Sequence, residues 1–266
     1  MYMKVTAKSN ALQRAADFHV ILPFHDGYPD APRPYPTLVF LPGYSGSAEE
    51  IIFALPLRQM SALYGIAIIV PDGENAFYTD HPERALCMGQ YAGDELLRNS
   101  RRLFPCLSAS REQTFIGGIS MGGYGAAALG LHYSETFSKI VLFSPSAEPD
   151  RLLSAAKEDV PGAVPASLFD TLLGGSRAYA GSPRLNPAKA VEQYVAEGKP
   201  LPEFWMCCGK QDQLVGDACS RFRETLLRAG ARLSWEDGPG DHDLMYWDAH
   251  LESAFRFVGE LSNRQG

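Results

Sequence analysis

The 266-residue chain has no run near the roughly 18 to 20 consecutive apolar residues needed to cross a bilayer, and its longest strongly apolar stretch, Ile66 to Val70, is short. No membrane association is expected. Positive charge is scarce: Lys+Arg 24 against Asp+Glu 31 leaves a net charge of −7, with neither sign gathered into a long run. Such a surface does not attract phosphate backbones, which argues against a nucleic-acid partner. The five cysteines (Cys87, Cys106, Cys207, Cys208, Cys219) are odd in number and lack C-x-x-C spacing. They read as reduced structural thiols, not as a disulfide framework. Histidines with cysteines or carboxylates at zinc-site spacing are also missing, so no metal is expected. The start, Met1-Tyr2-Met3-Lys4-Val5-Thr6, has neither the basic residues nor the apolar stretch of a secretory signal, and a cytoplasmic location is expected. Internal repeats and low-complexity tracts are lacking.

What is present is an ordinary globular composition, 45% hydrophobic and 21% charged. Apolar segments of strand length fall at 16–22, 37–41, 66–70, 113–117, 139–143, 203–208 and 232–236. They alternate with amphipathic segments of helix length at 48–62, 88–103, 121–132, 215–229 and 245–262. This alternation predicts an α/β fold with a mostly parallel sheet covered by helices on both faces, in one domain. Ser47 and Glu50 have capping-box spacing at the start of the first helix. The stretch 145–202 breaks the rhythm: it holds eight of the 19 prolines and only weak helical signals, near 150–158 and 187–197. Too short for its own core, it reads as a cap-like insertion lying over the main domain.

The segment Gly118-Ile-Ser120-Met-Gly122-Gly-Tyr-Gly125 joins an apolar strand to a helix of small residues. A serine on so tight a strand-to-helix turn needs strained backbone, and glycines two before and two after keep side chains from colliding. The helix start aims unpaired N–H groups at the serine oxygen. Ser120 is therefore the candidate nucleophile. A glycine-rich turn that merely packs a helix against the sheet is the structural alternative.

A serine hydroxyl needs an imidazole to take its proton and an acid to hold the imidazole. His242 lies in a turn-rich loop, Gly238-Pro-Gly-Asp-His242, just after a strand, and is preferred to His250, which falls inside a helical pattern. Asp212, in Cys208-Gly-Lys-Gln-Asp212, leaves the end of a buried strand where ligands bind in open α/β sheets. Asp217, at a helix start, is its rival, and Asp241 is too near His242 along the chain. An oxyanion hole could combine the backbone N–H groups of Tyr44, in the turn Pro42-Gly43-Tyr44, and Met121.

At these residues the chain resembles the esterase D group of α/β-hydrolases, which includes S-formylglutathione hydrolases, tributyrin, acetyl and feruloyl esterases and antigen 85 acyltransferases. The resemblance spans nearly the whole sequence. It rests on Leu41-Pro-Gly-Tyr-Ser-Gly46, Pro71-Asp-Gly-Glu-Asn-Ala-Phe-Tyr-Thr-Asp80, Gly118 to Gly125, Gly209-Lys-Gln-Asp212 and Gly240-Asp-His-Asp-Leu-Met-Tyr-Trp247. It implies an α/β-hydrolase fold, a Ser120–His242–Asp212 triad, Tyr44 and Met121 as oxyanion donors, and no cofactor. Two positions depart from the group: Pro42 stands where His is common, and Leu244 where many members carry Trp.

The implied activity is hydrolysis of short-chain acyl, acetyl or feruloyl esters, including esters of sugars or oligosaccharides, through an acyl-serine. A thioesterase acting on S-formylglutathione, an acyltransferase and a non-catalytic binding protein are the alternatives. Gly43, Phe77, Tyr78, Tyr246 and Trp247 are expected to contact the substrate. The state of assembly is left open, a homo-oligomer included.

Overall fold

Side chains in the central strands are apolar at nearly every position, and the pleat sends alternate ones to opposite faces. Leu38, Phe40, Val141, Phe143, Trp205 and Cys207 enter one core, while Val39, Leu41, Ile140, Leu142, Phe204 and Met206 enter the other. A sheet buried on both faces needs helices on both, and each fully buried Leu, Ile or Phe contributes about 1.5 to 3 kcal/mol by leaving water. The computed structural model describes residues 1–24, 31–148 and 166–259.

Ten strands occur among these residues: β1 (Tyr2–Lys8), β2 (Ala15–Ile21), β3 (Thr37–Leu41), β4 (Ala67–Pro71), β5 (Asp80–His81), β6 (Leu86–Cys87), β7 (Thr114–Ile119), β8 (Lys139–Phe143), β9 (Glu203–Gly209) and β10 (Leu233–Gly238). Eight of them form a sheet in the order β1-β2-β4-β3-β7-β8-β9-β10, and β5 pairs with β6 as a separate ribbon. From β4 to β10 neighbouring strands run parallel; β1 and β2 are antiparallel additions at one edge. This is the α/β-hydrolase fold that the resemblance implies, built on the mostly parallel sheet that the pattern predicts.

The described helices are α1 (Ala48–Ala54), α2 (Leu57–Tyr64), α3 (Met88–Gln90), α4 (Leu96–Leu103), α5 (Met121–His132), α6 (Ala166–Leu173), α7 (Gly175–Gly181), α8 (Pro187–Ala196), α9 (Gly216–Arg228) and α10 (Leu244–Gly259). Residues of α1, α2 and α10 cover one face of the sheet; α4, α5, α8 and α9 cover the other. The capping box forms, with Ser47 Oγ accepting from Glu50 N at 3.1 Å and Glu50 Oε2 accepting from Ser47 N at 2.8 Å. Helix α5 is buried from Met121 to Leu131 because it lies between the sheet and α8.

Several sequence expectations shift. The expected helix over 48–62 is two helices, interrupted at Leu55 and Pro56. The one over 88–103 is α3 and α4 joined by a π-helical turn, Tyr91–Glu95. Strand β1 was not anticipated: as an edge strand it buries no residue fully and lacks the apolar run that marks the others. Within 145–202, α8 matches the signal at 187–197, whereas α6 and α7 escape a pattern reading. The signal at 150–158 lies outside the described residues, as does the end of the helix expected over 245–262. Several contacts tie 145–202 to the rest. Tyr124 donates to the Leu185 carbonyl at 2.6 Å and Tyr194 to the Leu131 carbonyl at 2.6 Å. Arg184 pairs with Asp80 and places its Nη1 2.7 Å from His132 Nε2.

Candidate active site

Strand β7 ends at Ile119 and α5 begins at Met121, leaving Ser120 as the one-residue turn between them, at φ +56 and ψ −113. A non-glycine residue seldom adopts such values, and here surrounding hydrogen bonds hold it. The Ser120 N–H donates to the Phe143 carbonyl at 2.9 Å, and its own carbonyl accepts from Tyr124 N at 2.9 Å and Ser146 N at 3.0 Å. The turn thus lifts the hydroxyl at the C-terminal edge of the parallel strands.

Two more loops deliver their residues to the same edge. Beyond β10, His242 places Nε2 2.9 Å from Ser120 Oγ. Beyond β9, Asp212 places Oδ2 2.8 Å from His242 Nδ1. Residues 122 and 30 positions apart in the chain thereby form one relay. The Asp212 side chain is fully shielded from solvent, and its Oδ1 accepts from Val215 N at 2.9 Å and Leu214 N at 3.1 Å. Burial pushes the Asp212 carboxyl up. Opposing it are the hydrogen bond and charge of His242 and further bonds from Val215 N–H and Ser144, and the net result lies below the ordinary aspartate value. An ionised Asp212 fixes the imidazole with its proton on Nδ1 and leaves Nε2 free to accept the serine proton.

The rivals lie elsewhere. His250 is bonded to the Tyr246 carbonyl within α10, at 2.8 Å, and Asp217 stands in the first turn of α9. Asp241 accepts from the backbone N–H of His242 at 2.8 Å and does not stand behind the ring.

The Pro42-Gly43-Tyr44 turn beyond β3 adjoins the serine, since a Cβ built on Gly43 would stand 3.6 Å from Ser120 Cβ. Met121 is the first residue of α5, so its N–H has no partner within the helix. A cleft of about 1440 Å³ opens over these groups, and Gly43, Tyr44, Ser120, His242 and Trp247 line it. Three of the five expected substrate contacts do not line it. Phe77 is buried between the rings of Tyr44 and Tyr124. Tyr78 lies beneath the Pro42-Gly43-Tyr44 turn and donates to the Pro42 carbonyl at 2.9 Å, while Tyr246 packs into the core under Gly240. All three are supports, one layer below the surface a substrate would touch.

Sequence reasoning also missed Ser144 and Ser146. Ser146 Oγ is 3.4 Å from Ser120 Oγ. Ser144, at φ +41, accepts from Trp247 Nε1 at 3.2 Å and bonds the Asp212 carboxylate. Their position directly after a buried parallel strand is the signal that could have found them.

The sheet, the strand-to-helix serine and the three-residue relay define the chain as an α/β-hydrolase. It belongs to the family described as Putative esterase, whose model matches residues 9–258, and it is a carboxylester hydrolase. The chain is 30% identical over 227 residues to an acetyl esterase of Caldicellulosiruptor saccharolyticus, covering 85% of this chain and 84% of that one. It is 29% identical over 164 residues to an S-formylglutathione hydrolase of Paracoccus denitrificans, covering 53% of this chain and 56% of that one. Among solved structures, a substrate-bound fluorophosphonate-binding serine hydrolase of Staphylococcus aureus superposes with a TM-score of 0.82 at 27% identity, covering 97% of this chain and 98% of that one. A ferulic acid esterase shares the fold, with a TM-score of 0.74 at 20% identity and 98% of each chain covered.

Proposed function

We propose that the protein is a serine carboxylesterase acting on short-chain acyl, acetyl or feruloyl esters, sugar or oligosaccharide esters among them. The observation that carries this reading is the continuous hydrogen-bonded path from Ser120 Oγ through His242 to the buried Asp212. Ser120 Oγ attacks the ester carbonyl carbon as its proton passes to His242 Nε2, and Asp212 stabilises the imidazolium. The carbonyl oxygen, now an oxyanion, is held by the N–H groups of Tyr44 and Met121. As the tetrahedral species collapses, His242 returns the proton to the departing alkoxide and an acyl-serine remains. Water then attacks the acyl carbon, giving its proton to His242, and the acid leaves as Ser120 recovers its proton. The whole chain serves as one domain, with 145–202 as its cap-like part, a reading supported by the bonds of Tyr124, Tyr194 and Arg184 across that boundary.

A second reading, hydrolysis of S-formylglutathione by the same relay, is favoured by the relative of that name. Labelling with a fluorophosphonate followed by peptide mass spectrometry tests the mechanism. The adduct is expected on Ser120; a protein that hydrolyses p-nitrophenyl acetate while Ser120 stays unlabelled overturns it.

A further inference from the structure

The walls of the cleft differ in a way that bears on which esters can enter. Phe53 and Ala54 of α1, Leu244 and Trp247 at the start of α10, and Leu214 all line it. Phe53 is 80% exposed and Leu244 42% exposed, so neither serves the core. Large apolar side chains left bare in a cleft are a cost the fold gains nothing from, unless an apolar group lies against them.

The charged residues lining the cleft are all of one sign: Glu49, Glu50, Asp241 and Asp243, with no lysine or arginine among the described lining residues. Three of these carboxylates are held in place by neutral donors. Glu50 accepts from Ser47 N at 2.8 Å, Asp241 from His242 N at 2.8 Å, and Asp243 from Tyr246 N at 2.9 Å. Glu49 has a cationic partner, Lys4, with Nζ 3.0 Å away. The described lining residues thus place uncompensated carboxylates around the cleft at Glu50, Asp241 and Asp243, and a concave surface focuses their field.

We propose that the cleft selects esters whose bulk beyond the reacting carbonyl is apolar and free of negative charge, and that it disfavours anionic acyl or leaving groups. This rests on the serine carboxylesterase reading, narrows it, and runs against the S-formylglutathione reading. Neutral aromatic and alkyl esters enter; glutathione thioesters, whose carrier holds two carboxylates against one ammonium, are poor substrates. Leu244 and Phe53 are assigned as the residues that bear the non-reacting group.

The test is a charge-matched series: acetylcholine, its uncharged dimethylbutyl isostere and acetyl isethionate, with S-formylglutathione as a fourth substrate. At low ionic strength kcat/KM for acetyl isethionate is expected to fall roughly tenfold below the uncharged isostere, with acetylcholine at or above it. The gap should close near 1 M salt, where the screening length is about 3 Å. Phe53→Lys, placed on an exposed side chain, should raise the anionic-to-uncharged ratio about tenfold and lower kcat/KM for the uncharged ester. Equal rates across the wild-type series with no salt dependence, or S-formylglutathione processed faster than every uncharged ester, would overturn the selection. Either result leaves the mechanism standing, since Ser120→Ala is expected to lower turnover of whichever substrate is used by roughly 10⁴ to 10⁶. Turnover near the wild-type rate in that variant would instead sink the serine reading.

Discussion

Gly122 and Leu41 approach so closely that a Cβ on Gly122 would lie 1.9 Å from the Leu41 carbonyl oxygen. A Cβ on Gly118 would in turn lie 2.5 Å from the Gly122 carbonyl carbon. The second glycine of the turn is thus required by the neighbouring strand β3, and the first by the second. Gly122→Ala must push α5 away from β3 and take Ser120 with it. Thermal unfolding is expected to show a loss of at least about 3 kcal/mol, or no folded protein, and whatever folds should label poorly with fluorophosphonate. Wild-type stability and labelling would contradict the contact.

Replacing Ser120 or His242 with alanine is expected to lower kcat for p-nitrophenyl acetate by roughly 10⁴ to 10⁶ with little change in the unfolding temperature. The double variant should be no worse than the more damaged single one, because the two groups act as a unit. Additive losses would argue that they work independently.

Tyr78 holds the Pro42 carbonyl from a fully buried position, where burial pushes its phenol well above the usual value and keeps it a proton donor. Tyr78→Phe leaves that carbonyl short of a partner and loosens the turn that carries Tyr44. A drop of about tenfold in kcat with KM nearly unchanged is expected, about 1.4 kcal/mol of transition-state stabilisation. A change confined to KM would place Tyr78 in ground-state binding instead.

Glu95, at the end of the π-helical turn before α4, is buried against the β1–β2 connection, accepting from Ser9 Oγ at 2.7 Å, Asn10 N at 2.8 Å and Ala11 N at 3.0 Å. Burial pushes its carboxyl up, but these three donors and Arg98 outweigh that and leave it below the ordinary glutamate value. A carboxyl lowered in the folded state stabilises the fold above its unfolded value, and that contribution is lost as pH falls through the folded one. Acid titration of stability should therefore steepen below about pH 4.5, and Glu95→Gln should flatten it. The same variant is expected to cost about 1 to 3 kcal/mol at neutral pH while leaving kcat/KM per folded molecule unchanged. Denaturant melts at stepped pH provide the check.

Much of this molecule was legible from residue order alone. Strand segments such as Thr37–Leu41 and Lys139–Phe143 were identified to the residue, because a strand buried on both faces must be apolar throughout. Ser120 stood out for a local reason: glycines at 118 and 122 and the switch from strand to small-residue helix all lie within a few positions. His242 and Asp212 could be nominated because each follows a buried strand, but their rivals could be set aside only by distance in space. What the order of residues could not reach was depth. Phe77, Tyr78 and Tyr246 have the composition of a binding wall, yet they form the layer beneath the cleft. Phe53, on the expected first helix but not marked by its pattern, is exposed and lines that cleft. Local patterning sets which segments become strands and which turns can carry a strained serine; which face of the chain water reaches is decided only when distant segments pack, because burial belongs to the assembled core and not to any stretch of it.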